Sequence, residues 1–316
     1  MSDGTRDLGA AAAANPPRVT SRRLNGEMTQ AFLIVLPSVL AIAIFVYGFI
    51  AWTVRVSLSQ WVGLMPNYTW AGLQNYINLF QDPRFQVDIR NTIIFTVFFV
   101  VGCILFGLFL AILLDQGLRG EAFFRNVFLF PMAISYIVTG VVWRWLMNPA
   151  MGSRISGFNL LFKTFHLDFL VNSWHNTPYW GIAFIAIPAI WQMSGYTMAL
   201  YLAGLRGVGD ELREAARVDG ANELQIYRHI ILPILRPVTL SAMIILGHMS
   251  LKVFDLIIAV AGKQLALDVP AIYMWQATFD GLFYNRGAAI GILLLLSVAV
   301  LIIPYIRYNL RSEADL

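Results

Sequence analysis

Apolar residues along this chain come in long unbroken runs, and the polar ones collect between them. Six runs stand out, at 31–54, 91–114, 127–147, 180–203, 238–261 and 287–306. A bilayer core of ~30 Å needs about 20 residues of helix to cross it, and each run meets that length. Lipid offers no partner to a free backbone amide or carbonyl, so runs of this kind must be helices. The pattern predicts an all-α fold, a polytopic transmembrane bundle of six spans. Trp52, Trp143, Trp145, Tyr179, Trp180 and Tyr305 lie near the run ends, where an interfacial belt of aromatics belongs.

Composition agrees with this. The 316 residues are 58% hydrophobic and 13% charged, against about 25% charged for a soluble domain. The single Cys103 sits inside an apolar run, which excludes a disulfide framework and a cysteine metal site. A net charge of +4 is too small to point to nucleic acid. Residues 1–29 are polar, alanine-rich and basic, with Asn15-Pro16-Pro17, and read as a disordered cytoplasmic tail without the apolar core of a signal peptide. The membrane domain is then 30–310, and 311–316 is a second cytoplasmic tail. With the N-terminus inside, Lys and Arg divide 13 to 7 in favour of the cytoplasmic segments. The positive-inside rule therefore places both termini in the cytoplasm. The long loops 55–90 and 148–179 fall outside and are expected to be irregular, forming a docking face or a simple cap.

The cytoplasmic stretch 204–237 is the most informative. It predicts two short helices around a corner. Asp210 caps the first, with Glu211 and Glu214 in its early turns. Leu212, Ala215, Ala216 and Asp219 share one face at i, i+3, i+4, i+7 spacing. Gly220 ends that helix, and Asn222 with Gln225 forms a capping box for the second. Pro233 and Pro237 mark entry into the next span. The small Ala215 and Ala216 let a partner surface approach closely, while charges surround the contact.

Glu214-Ala215-Ala216, Gly220 and then Ile230-x-Leu232-Pro233 resemble the "EAA" signature of binding-protein-dependent ABC importer permeases. Trp191-Gln-Met-Ser-Gly-Tyr196, Leu202-Ala203-Gly204-Leu205, Val253-Phe254-Asp255 and Tyr76-Ile77-Asn78-Leu79-Phe80 narrow the likeness to carbohydrate permeases of the maltose-transporter type. Where many of these have Gly-Gly-Pro after the fifth span, this chain has Ala261-Gly262-Lys263. The resemblance covers residue 30 to the C-terminus. It implies a multi-pass subunit of the plasma or inner membrane that pairs with a second, homologous permease. It also implies two cytoplasmic ATPase subunits that bind ATP and Mg, an external solute-binding protein and a sugar substrate. No Gly-x-x-x-x-Gly-Lys-Ser/Thr loop occurs in the chain, so it is expected to be no enzyme and to carry no cofactor itself.

Polar groups inside spans are costly and mark a solute path or an internal contact. His248, Lys252 and Asp255 fall on one stripe of a continuous fifth helix, where Lys252 and Asp255 can neutralise each other; Ser250 lies on another face. Gln192 and Tyr196, one turn apart on the fourth helix, offer an amide and an aromatic ring. The resemblance implies that positions around Tyr196 and Ser250 line the pore. The expected substrate is glucose, mannose or an α-glucoside, with a polyol or glycerol phosphate as alternatives. An ion-coupled secondary transporter and a non-transporting scaffold would also fit six spans, but neither explains the Glu-Ala-Ala loop.

Overall fold

A computed structural model of the chain describes the backbone of residues 21–314 and the side chains of residues 31–307. Two units are distinguished, one ending at Trp52 and one beginning at Thr53. In the first, α1 (Ser21–Ile42) passes through a π-helical turn, Ala43–Gly48, into the start of α2 (Phe49–Ser57). Residues 21–29, expected in the disordered tail, are therefore helical, while residues 1–20 lie outside the described residues. Side chains of this first helical run stand exposed, Ile34 at 77% and Tyr47 at 67%. A face so apolar requires lipid or protein around it.

The second unit holds the rest of the bundle. Short α3 (Gln74–Gln81) leads into the long α4 (Pro83–Asp115). The start of α4 is set by its sequence: Asp82 accepts a hydrogen bond from the Arg84 amide at 2.9 Å, and Pro83 holds the first helical position. Next come α5 (Glu121–Leu129), α6 (Tyr136–Leu146), α7 (Gly157–Thr164) and α8 (Gly181–Arg206). They are followed by α9 (Asp210–Val218), α10 (Glu223–Ile226), α11 (Leu232–Ile234) and α12 (Arg236–Leu251). The chain closes with α13 (Asp255–Ala261), α14 (Pro270–Trp275) and α15 (Tyr284–Ala314). The last helix thus runs through much of the expected tail 311–316. The loops 55–90 and 148–179, expected to be irregular, contain α3, the start of α4 and α7.

Among the described residues, four helical runs are long and apolar enough to cross a membrane, or up to six if two bent pairs each count as one span. The third expected span, 127–147, is one of these pairs. Its two parts meet at 98°. A 3-10 turn containing Pro131 ends the first part, and Ser135 caps α6 by accepting from the Val138 amide. The fifth expected span, 238–261, is not continuous either: helix ends at Leu251 and restarts at Asp255.

The centre of this unit is the α4–α8 pair, with α12 against α4 and α13 against α6. Phe95, Phe99, Cys103, Ile182, Ile185 and Leu256 fill one core. The α4–α8 approach is close enough to require glycine. A Cβ at Gly107 would lie 2.6 Å from the Thr197 Cβ and 2.9 Å from the Met198 nitrogen. Gly107→Ala is expected to destabilise the protein by about 1–3 kcal/mol through overpacking. A thermal midpoint in detergent equal to that of the unaltered chain would show that the helices have room to spare.

At the end remote from the 204–237 loop, Arg84 ties α4 to the segment before α14. Its Nε donates to Asp268 at 2.6 Å and its Nη2 to Gln276 at 2.6 Å. The guanidinium lies 4.1 Å over the Tyr273 ring. Burial raises the Asp268 carboxyl above the usual range, while Arg84 pulls it the other way.

Candidate coupling loop and central cavity

The loop 204–237 is built by local signals that the structure satisfies bond by bond. Gly209, with extended backbone, precedes α9 and supplies no side-chain cap. Asp210 is therefore the first helical residue rather than the cap; with Glu211 it puts negative charge in the first turn, where the helix dipole favours it. Gly220, at φ +84°, ends the helix. Its amide reaches the Arg217 carbonyl at 3.1 Å and the Ala221 amide reaches Ala216 at 2.9 Å, the paired bonds of a Schellman turn. The Asn222 side chain accepts from the Gln225 amide at 2.9 Å, and the Gln225 side chain accepts from the Asn222 amide at 2.8 Å. Across the corner, Arg217 donates to Glu223 at 2.8 Å; both are exposed, so this pair contributes little.

The inner face of the loop is apolar and buried. Ala216, Ile226, Ile231 and Leu235 join Leu110, Leu114, Leu202 and Leu205 in one cluster. The four-residue face expected from spacing is thus divided. Ala216 turns inward, whereas Leu212, Ala215 and Asp219 stay exposed with Glu211, Glu214 and Gly220. Val218 is 87% exposed and Leu224 77%, so the outer face combines carboxylates with unpartnered apolar side chains. Ile230 and Pro233 are half-buried, and Leu232 is exposed, at the exit toward α12.

Sequence reasoning missed the anchor. Arg213 Nη1 lies 2.8 Å from Asp115 at the end of α4, with 15% and 8% of the two side chains exposed. Arg213 Nη2 also donates to the Leu205 carbonyl at 3.2 Å. The loop is thereby fixed to α4 and α8 together. The two partners are 98 residues apart, and no local pattern announces them.

The other candidate region forms where the fifth span breaks. Lys252 caps the C-terminus of α12, just after its last residue, and Phe254 precedes α13. The single stripe expected of His248, Lys252 and Asp255 is therefore not continuous. The neutralising pair expected of Lys252 and Asp255 also does not form: among the described residues neither enters an ion pair. Each instead sits at a helix end of the favourable sign, the cation at a C-terminus and the carboxylate at an N-terminus. Two cavities meet the break, one of about 290 Å³ bordered by Phe99, Tyr136 and Asp255, and one of about 590 Å³ bordered by Trp275. His248, Lys252 and Phe254 border both.

Ser250 is buried and also borders the smaller cavity. Its hydroxyl donates to the Gly247 carbonyl at 2.7 Å and lies 2.8 Å from the Thr96 hydroxyl, which leaves Thr96 as donor to it. Gln192 and Tyr196 border neither cavity. The Gln192 amide is 2% exposed and donates to the Ile134 carbonyl at 2.5 Å, bracing the bend between α5 and α6. Tyr196 packs half-buried against the central core. Within this chain Gln192 and Tyr196 thus make packing contacts.

These features coincide with what comparison finds. Residues 103–313 match the family described as "Binding-protein-dependent transport system inner membrane component". A probable ABC transporter permease protein of Pyrococcus horikoshii is 39% identical over 293 residues, covering 92% of this chain and 99% of that protein. A xylose/arabinose import permease of Haloferax volcanii is 35% identical over 281 residues, covering 88% and 86%. Among solved structures, a bacterial ABC transporter involved in import of the acidic polysaccharide alginate superposes with a TM-score of 0.75 at 21% identity. It covers 92% of this chain and 99% of that one. The chain belongs to the binding-protein-dependent transport system inner membrane component family, the permease subunits of ABC importers. It is an integral membrane protein.

Proposed function

We propose that this chain forms half of the translocation pore of an ATP-driven carbohydrate importer. Its 204–237 loop seats on one of two cytoplasmic ATPase subunits, which bind ATP and Mg. A second, homologous permease completes the pore, an external solute-binding protein delivers the sugar, and both termini are cytoplasmic. The observation that carries the reading is the position of α4. One end of it holds the loop through Asp115 and Arg213, and farther along Phe95 and Phe99 border the cavity at the helix break. Movement imposed on the loop is thereby delivered to the cavity wall through a single helix.

The cavity residues suit a hydroxylated solute: a cation, a carboxylate, an imidazole and several aromatic rings. The import role carried in the Haloferax relative's name supports a sugar and adds pentoses to glucose, mannose or an α-glucoside. The test is uptake of a panel of labelled sugars by the assembled complex in proteoliposomes. Uptake is expected only with ATP and the binding protein present. In the same assay, Glu214→Ala should reduce ATP-driven uptake at least about tenfold, a loss of about 1.4 kcal/mol in coupling. The circular dichroism of the membrane subunit should not change. Uptake that follows an ion gradient without ATP, or that survives Glu214→Ala at full rate, would sink the reading.

A further inference from the structure

A second polar cleft lies near the N-terminal end of α8, remote from the 204–237 loop. It has a volume of about 480 Å³ and is lined by Arg144, Trp145, Asn148, His175, Asn176 and Gln264 among others. Those side chains come from three separate segments, the end of α6, the stretch before α8 and the turn after α13. A few convergent polar groups in a cleft of this size are the usual anatomy of a small-ligand site.

The wall is cross-braced, and several of its polar groups have no partner among the described residues. Trp174 holds a left-handed backbone, φ +48°. Its amide is bonded to the Asn172 side chain at 2.5 Å and its indole donates to Asn159 at 2.9 Å. Asn159, fully buried, donates in turn to the Asn148 and Asn172 carbonyls at 3.2 and 2.8 Å. That network fixes His175, which is only 6% exposed and yet has a ring nitrogen, Nδ1, with no partner. A buried polar atom left unmatched costs about 1–3 kcal/mol, and such atoms in a native site call for an explanation. Burial, with the Arg144 charge adding to it, holds the imidazole pKa below its ordinary value, so His175 is neutral and able to accept or donate. The side chains of Arg144, Asn176 and Gln264 make no hydrogen bond or ion pair among the described residues. No carboxylate lines the cleft, so the guanidinium is not neutralised. Trp145, 64% exposed, offers a flat apolar face beside these donors.

We propose that this cleft is a subsite for one saccharide ring bearing a carboxylate, its acid group on Arg144, its hydroxyls on His175, Asn176 and Gln264, and its ring face on Trp145. Arg matches a carboxylate in a two-point geometry that neutral donors do not supply. The carbohydrate class rests on the proposed function, whereas the preference for an acidic ring rests on the unpaired charge. Sugar uptake and binding at this cleft are read by separate measurements, so failure of one is distinguishable from failure of the other.

The experiment uses the assembled transporter in nanodiscs without its binding protein, titrated with glucuronate and with glucose by saturation-transfer NMR. Glucuronate is expected to bind about tenfold or more tightly than glucose, the worth of one charge-assisted bond. Arg144→Gln should cut that ratio to below about threefold, and Arg144→Lys should restore part of it. The lysine variant also serves if the glutamine variant fails to assemble. Trp145→Ala should weaken both sugars. Equal affinity for the two sugars, absence of saturable binding, or an unchanged ratio in both Arg144 variants would overturn the assignment. Glucuronate binding lost with Lys252→Met but retained with Arg144→Gln would place the ligand in the central cavity instead and equally overturn it. So would a cleft that binds an acidic peptide and neither sugar.

Discussion

Arg213→Ala is expected to destabilise the membrane subunit by about 3–5 kcal/mol, the usual effect of leaving one member of a buried ion pair behind. Asp115 is 8% exposed and would lose its ion-pair partner. The Leu205 carbonyl would lose a donor at the same time. Because Arg213 fixes α9 to both α4 and α8, the loss should also loosen the 204–237 loop. Amide exchange over residues 210–220 should accelerate, and sugar moved per ATP hydrolysed should fall. A double replacement, Asp115→Asn with Arg213→Met, should recover much of the stability, since no buried charge then remains. It should not recover coupling, since the mechanical tie is still absent. If the single variant unfolds at the same temperature as the unaltered subunit and exchanges its loop amides no faster, α9 is held by its apolar face alone.

The second large effect concerns the helix break. Lys252→Met keeps the length and apolar stem of the side chain and removes its charge. If Lys252 is a contact in the solute path, uptake by the complex should fall at least about tenfold, equivalent to about 1.4 kcal/mol. Thermal stability should hold or rise, because a cation in an apolar bundle is costly and Lys252 has no ion-pair partner among the described residues. A structural role predicts the opposite pattern, with lower stability and little change in transport per folded complex. Transport at the original rate with unaltered stability would remove Lys252 from the path.

Much of this architecture was legible in the residues. The Asn222–Gln225 box and the Gly220 terminator are local devices whose bonds close within three to five positions, so spacing alone locates them. The apolar runs located the membrane helices because length and hydropathy are properties of a segment by itself. What escaped depends on distance or on averaging. Arg213 and Asp115 belong to different segments, and a lone charge in a charged loop gives no sign that it is buried. The bend between α5 and α6 was foreshadowed by Pro131 and Ser135, yet the surrounding run is apolar on both sides and reads as uninterrupted. At Lys252-Val253-Phe254 there is no proline or glycine to mark a break. Gln192 was read correctly as an amide in need of a partner, but the partner proved to be a backbone carbonyl exposed by the bend.

The interrupted fifth span has a consequence for how selectivity can be altered. The first intrahelical bond of α13 joins the Ile258 amide to the Phe254 carbonyl at 3.1 Å, so the amides of Asp255, Leu256 and Ile257 precede the ladder. Amides at such a terminus point outward along the helix axis and carry its positive end. Asp255 and Leu256 border the smaller cavity, and their amides are donors that every residue type except proline possesses. Replacing side chains leaves such donors in place. Only a change to the peptide unit itself, such as an ester at position 256 or 257, would delete one. Were a solute to bond to these amides, an alanine scan of this segment would register the side chains and overlook the polypeptide backbone.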